Sequence, residues 1–424
     1  MSTVPRSQRL WYKTLHQAHL WAGIILCLPL MALGISGSIL VANDLIQEWT
    51  APAAAPPVPG VVKPLSEIIE AARATVPAGQ TPTAIMLPEE AGQPVTIRFA
   101  AARPAPGGDR PQGGERPQGG ERPAGAPPAG GPQMGGGPMG PGGGTSVRIN
   151  PVTLDIHTTP AMGGNSVMRT IHNLHGNLLI PGRDGREVVG WLGVVMLVLG
   201  ISGVVMWWPR PGRWKAAFLI KPDAKGLRLH RELHGATGIW TLLVFLVVSF
   251  SGVYLVFPQT LTDAVSVVSP AREPRSVMNA HTVEPVRGTP PAGVEEMIAI
   301  ATAAVPDATV RGLFLPTRPN QPARATLARP GAAHGAPGIT AVIDPWKRSV
   351  IEVRDPRTYS LGDTIVAWQR PLHAGEGLGI VWAVLVFASG ILPPLFCITG
   401  IAMWWIKRRN RQARRLDAAA ARAS

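Results

Sequence analysis

The sequence predicts a membrane α-helical protein. It has four transmembrane helices in two tandem repeats, with two small α+β domains on one side of the membrane. Three observations carry the prediction. Four apolar runs, at 20–45, 188–208, 236–257 and 378–405, are each long enough for a bilayer, which takes about 20 residues. Segments at the ends of these runs recur at fixed offsets. Lys and Arg cluster beside the runs on one side of the implied membrane.

The repeat is visible residue by residue. His19 falls on His234 at an offset of 215, and at the same offset Gly23 falls on Gly238, Ser36-Gly37 on Ser251-Gly252 and Val41 on Val256. A second pair, Ile201-Ser202-Gly203 through Trp207-Trp208, matches Ile398-Thr399-Gly400 through Trp404-Trp405 at an offset of 197. Upstream of it, Leu174-His175-Gly176 answers Leu372-His373-Ala374, one residue out of step. The duplication therefore selects four of the ten histidines.

Charge orients the runs. Arg6, Arg9 and Lys13 precede the first, Arg210 to Arg228 lie between the second and third, and Lys407 to Arg415 follow the fourth. That pattern places both termini and the middle loop in the cytoplasm. It assigns the net charge of +14 to topology and acidic lipid, not to nucleic acid.

In order, residues 1–19 form a cytoplasmic lead. The first span, 20–45, is longer than a signal-peptide core, and its His19 recurs at an internal span, so it is expected to stay in the chain. Pro29 is tolerable in a membrane helix. Residues 47–170 lie outside, with a helix at 65–76 and strands at 84–87, 95–100 and 147–157. The insert 103–145 is Gly, Pro, Arg and Gln of low complexity and reads as a disordered loop. The second span, 188–208, leads to a cytoplasmic loop, 209–235, and a third span, 236–257. The second outer segment, 258–371, repeats the plan: the helix 294–305 ends in Val305-Pro306 as the first ends in Val76-Pro77, and Ile343-Asp344-Pro345 answers Ile149-Asn150-Pro151. Each outer domain is short and would be marginal alone, and is expected to pack on the other or on the membrane. The fourth span, 378–405, contains Pro393-Pro394, which predicts a tilt or kink. A basic tail, 406–424, closes the chain. Cys27 and Cys397, the only cysteines, lie inside spans as packing residues.

Topology places the four histidines. His19 and His234 begin spans that start in the cytoplasm. His175 and His373 precede spans that start outside. A two-span unit repeated in tandem keeps its orientation, so its halves relate by a two-fold along the membrane normal. Equivalent residues can then face each other, His19 with His234 and His175 with His373. An imidazole on each side of a planar macrocycle is bis-His haem ligation, and without Cys-x-x-Cys-His the haem is b-type. Gly23 and Gly238 lie one helical turn beyond their histidines, where a missing side chain lets a ring approach. Gly377 has that spacing from His373, whereas His175 is followed at that spacing by Leu179. A lone histidine at a helix end is ordinarily an interfacial residue. Four that respect both repeat and topology favour haem, while two per face with no nearby carboxylate make a poor zinc set.

His16, His172 and His230 accompany the four and read as second contacts to the ligands or to haem propionates, with exchange as ligands the alternative. His157, His281 and His334 read as ordinary outer-domain residues. The Trp pairs read as interface belts, and Ser36, Ser202, Ser251 and Thr399 as helix-packing positions beside Gly.

Across nearly the whole chain, apart from the insert and tail, this layout resembles the PepSY-associated transmembrane family of bacterial inner-membrane proteins. The resemblance rests on His19-x-x-x-Gly23, Leu174-His175-Gly176, His234-x-x-x-Gly238, Ser251-Gly252, Leu372-His373-x-Gly375 and Thr399-Gly400 with Trp404-Trp405. It implies PepSY-like outer domains in the periplasm and two b-type haems. It also implies reduction of a ferric siderophore, by which iron is released as Fe(II) for uptake. No dinucleotide fingerprint is present, so a flavin, quinol or separate reductase would donate electrons. The alternatives are a non-redox membrane protein whose PepSY-like domains bind peptide or restrain a protease, and an accessory subunit of a metal-uptake system.

Overall fold

The structure, a computed structural model, describes residues 6–50, 58–89, 92–101, 145–158, 166–274, 276 and 280–423. The first half runs α1 (Arg6–Ile25), α2 (Cys27–Thr50), α3 (Leu65–Arg73), β1 (Gln80–Met86), β2 (Val95–Ala101), β3 (Thr145–Ile149), β4 (Ile156–Thr158), α4 (Ser166–Asn177) and α5 (Gly182–Trp207). After the short α6 (Trp214–Ala217), the second runs α7 (Gly226–Val256), α8 (Pro258–Ser266), α9 (Val294–Ala304), β5 (Thr309–Phe314), β6 (Ala323–Ala328), β7 (Ile339–Asp344), β8 (Ser349–Arg354), α10 (Leu361–Ala374), α11 (Gly379–Ser389) and α12 (Leu392–Ala423). Apart from Thr145, which opens β3, the insert 103–145 lies outside the described residues.

Three helical stretches are long and apolar enough to cross a membrane: Gly182–Trp207, Gly226–Val256 and Gly379–Arg422. A fourth crossing is formed if Leu10–Ile25 and Cys27–Asn43, bent by 65° at Leu26, count as one span. The sequence reads 20–45 as one helix; the structure starts it earlier and breaks it. The cause is Pro29, which offers no N–H to the Ile25 carbonyl and crowds it with its ring. Regular bonding resumes with Leu30 N–H to Leu26 O at 3.0 Å. At the other proline site Gly379–Arg422 counts as one stretch, with a brief interruption between α11 and α12 before Pro393-Pro394. There α2 closes on the junction: Gly34 and Gly390 approach so tightly that neither could carry a Cβ, as small residues permit between membrane helices.

The eight strands form one antiparallel sheet in the order β4-β3-β2-β1-β5-β6-β7-β8. The sequence reads as two small α+β domains; the structure fuses them edge to edge through β1 and β5. Each unit alone would leave the β1 or β5 edge unpaired and would be marginally stable at its size. Pairing meets both needs. One core results, in which Ile68, Ile69 and Ala72 of α3 join Met297 and Ala301 of α9 over Ile85, Ile97, Phe99, Leu313 and Ile343. At the seam Ile85 pairs with Leu313, Ala84 with Phe314 and Met86 with Gly312. The flanking bonds are matched too: Leu87 N–H to Arg311 O and Leu315 N–H to Thr83 O, both 2.9 Å.

The turns that follow the third strand of each unit also match. Asn150 Oδ1 accepts from Val152 N (2.9 Å) and Thr153 N (3.1 Å), and Asp344 Oδ1 accepts from Trp346 N (2.9 Å) and Lys347 N (3.1 Å). Each is a side chain capping its own turn before a proline.

Candidate functional site: two pairs of histidines

Each histidine stands on a different helix and leans on another. His19 is on α1, His175 on α4, His234 on α7 and His373 on α10. Both ends of α10 are fixed. Ser360 caps the helix by accepting from Asp363 N at 2.9 Å, and Gly375 ends it in the left-handed region with φ 79°. Asp363 in turn accepts from Arg272 N at 3.0 Å and Arg354 Nη2 at 3.3 Å, which ties the helix of His373 to the end of the sheet. The end of α4 turns through Leu178 and Leu179, with φ 53° and 62°. Left-handed backbone is costly for branched residues, and here it sits three and four residues past His175.

The structure brings His19 to His234, with ring centres 6.4 Å apart, and His175 to His373, with ring centres 5.9 Å apart. On α7, His234 and Ser251 are 17 residues apart, so the two pairs sit at levels roughly 25 Å apart at 1.5 Å per residue.

The seats of the rings are duplicated. His19 Nδ1 lies 2.8 Å from Ser202 Oγ, and His234 Nδ1 lies 2.8 Å from Thr399 Oγ1. His175 Nδ1 lies 3.0 Å from Leu33 O and 3.3 Å from Ser36 Oγ. His373 Nδ1 lies 3.0 Å from Val248 O and 3.2 Å from Ser251 Oγ. Beside each hydroxyl a glycine makes room. A Cβ on Gly37 would stand 2.9 Å from His175 Cε1, and one on Gly252 would stand 3.0 Å from His373 Cε1. At Gly203 and Gly400 the corresponding distances to His19 and His234 are 3.7 and 4.0 Å. The four Ser/Thr-Gly steps therefore hold imidazoles, a role that their reading as helix-packing positions misses. The signal was present in the sequence: Ser36-Gly37 and Ser251-Gly252 recur at the offset of His19 and His234, and Ser202-Gly203 and Thr399-Gly400 recur one residue out of step with His175 and His373.

The other candidates divide. A Cβ on Gly23 would meet nothing within 4 Å, and one on Gly238 would meet only the Phe396 ring at 3.8 Å, so space is left one turn beyond His19 and His234. Phe396 also packs on His234, with ring centres 5.0 Å apart. Gly377 has a local reason instead: its φ is 83° and a Cβ would meet Trp368 at 2.7 Å. His16 is half-buried and His172 exposed. His230 has a buried Nδ1 with no hydrogen-bond partner among the described residues. His281 bonds Glu352 at 2.7 Å in the sheet region. Among the described residues no group of three or more His, Cys, Asp or Glu is placed to hold a metal ion. Cys27 and Cys397 are free and buried, and Cys397 Sγ lies 3.5 Å from the Cys27 carbonyl oxygen.

Apolar helices of bilayer length and histidines paired between them define a membrane protein of the multi-helix class. The family model described as the PepSY-associated TM region matches residues 16–407, and the chain belongs to that family. No curated protein matches the sequence.

Proposed function

We propose that this chain is a two-haem inner-membrane reductase built from two tandem repeats, with its termini in the cytoplasm and its sheet in the periplasm. The observation that supports it most is the pair of histidine pairs, at separate levels, each ring held in a matching seat. A metal–imidazole bond is about 2 Å, so two rings on one metal have centres roughly 6 Å apart, which suits both pairs. With Nδ1 engaged by a helix partner, Nε2 is the nitrogen left for an iron, the usual division of labour in a ligating histidine. The open space beside Gly23 and Gly238 suits a macrocycle at the first pair. The residues therefore fit two b-type haems, with His19 and His234 holding one and His175 and His373 the other.

A haem bound between two such histidines supplies a one-electron couple. The chain orients the rings, keeps water from them and spaces the two sites across the bilayer. An electron from a cytoplasmic flavin, quinol or reductase would reduce a ferric chelate outside, Fe(III) to Fe(II), which weakens hard-oxygen chelation and releases iron. The tandem two-fold is supported by the sheet seam, where Ile85 pairs with Leu313, its counterpart 228 residues on, and the pairs on either side, Ala84 with Phe314 and Met86 with Gly312, are symmetric about them.

The test is the visible spectrum of the purified protein from a haem-replete host, with haem counted per chain. Two reducible b-type haems that are reoxidised by a ferric siderophore are expected. Colourless, haem-free protein overturns the reading in favour of a non-redox member of the family.

A further inference from the structure

The two histidine pairs differ in what holds their Nδ1 atoms. His175 and His373 face main-chain carbonyls, of Leu33 and Val248, at 3.0 Å each. A carbonyl can only accept, so both rings must carry their proton on Nδ1. Among the described residues, His19 and His234 have instead one Nδ1 partner each, the hydroxyls of Ser202 and Thr399 at 2.8 Å. A hydroxyl can give or accept, and it has one proton. Ser202 Oγ lies 3.1 Å from Leu199 O, and Thr399 Oγ1 lies 2.7 Å from Leu395 O. When that proton goes to the helix carbonyl, the hydroxyl accepts from Nδ1–H and the ring takes the same tautomer as the other pair.

We propose that Ser202 and Thr399 are positioning residues that set the tautomer of His19 and His234, whereas the main chain alone sets that of His175 and His373. The first pair is thus under side-chain control and the second is not. Ser36 and Ser251 make the same contrast from the other side. Their hydroxyls, at 3.3 and 3.2 Å from Nδ1, are supplementary, because the carbonyl remains if they are removed. That the chain uses Ser at one of the two controlling positions and Thr at the other indicates that the hydroxyl is what matters there. The consequence for iron ligation rests on the two-haem reading; the tautomer assignment does not.

Two measurements on the full-length protein test it. The first is the ¹⁵N spectrum of histidine-labelled, haem-free protein in lipid discs, which distinguishes a protonated from an unprotonated ring nitrogen. Ser202→Ala and Thr399→Val should move His19 and His234 from a single Nδ1–H form to a mixture of tautomers. Ser202→Thr and Thr399→Ser should restore the single form. Ser36→Ala and Ser251→Ala should leave His175 and His373 as they were. If Ser202→Ala leaves His19 unchanged, or Ser36→Ala shifts His175 as far, the proposal is wrong. The second is made on haem-loaded protein. The Ser202→Ala/Thr399→Val variant should lose about 10- to 100-fold in haem affinity at one centre, the usual cost of removing a partner behind a ligand, and shift that centre's potential while sparing the other. Equal shifts at both centres would also refute it. Absence of haem from every preparation would count against the two-haem reading, and the nitrogen spectra would still decide the tautomers.

Discussion

Ile85 and Leu313 stand opposite one another where β1 meets β5, both with no exposed surface. They are the point about which the sheet register is symmetric, and they join two halves that are 228 residues apart in sequence. Among the described residues the two halves share one core. Ile85→Ala or Leu313→Ala should each cost about 2–5 kcal/mol, as deletion in a packed core does. The double variant should fall short of the sum because the two side chains share one contact region. Thermal unfolding in detergent, with a probe in each half, checks this. Independent melting of the two halves in the wild type would contradict the single core.

The glycines under the rings predict an asymmetry. Gly37→Ala and Gly252→Ala place a Cβ at 2.9 and 3.0 Å from a ring carbon, so the ring must move. Gly203→Ala and Gly400→Ala leave 3.7 and 4.0 Å, an ordinary contact. Alanine favours a helix over glycine by roughly 1 kcal/mol, so damage in the first two variants cannot come from a weakened helix. Haem content and spectrum should change for the first two variants and hold for the others. Equal tolerance at all four sites would dismiss the tight seat at His175 and His373.

The pairs make a prediction about double variants. On the two-haem reading, His19→Ala/His234→Ala removes both proposed ligands of one site and should leave the other haem in place. His19→Ala/His373→Ala touches both sites and should disturb both. Such non-additivity is expected of groups that act as a unit. Haem per chain and reduction from each side of oriented vesicles decide it. A cross-pair variant that keeps one intact haem, with a same-pair variant that loses both, would reverse the assignment.

Acid should act first on the sheet. Arg329 bonds both oxygens of Asp355 at 2.8 and 2.7 Å and reaches Asp307 at 2.7 Å. The Arg329 hydrogen bonds hold both carboxyls below their ordinary range. A carboxyl whose folded pKa is depressed adds stability above its unfolded value, and this is lost as pH falls through the folded one. The sheet's melting temperature should therefore decline as pH drops below the ordinary carboxylate range. Arg329→Leu should lower stability at neutral pH and flatten that decline. An unaltered acid limb in this variant would rule the cluster out as its source.

By itself the sequence determined the family, the apolar runs and the four histidines to single out. Repeated His, Ser-Gly and Thr-Gly steps are local words, and a fixed offset exposes them without knowledge of the fold. The break at Leu26 was only half legible. Pro29 can be tolerated in a membrane helix, and whether it bends one depends on what packs against the freed Ile25 carbonyl. Only the tertiary structure decided how the words combine. Nothing near Ile85 says that its partner is Leu313, because the pairing of two strand edges has no local sequence signal. Likewise, nothing near Ser202 says that its hydroxyl meets His19, 183 residues away. Hydrogen bonds between helices depend on where the helices cross, and that is fixed by the packing of whole faces, not by any short stretch.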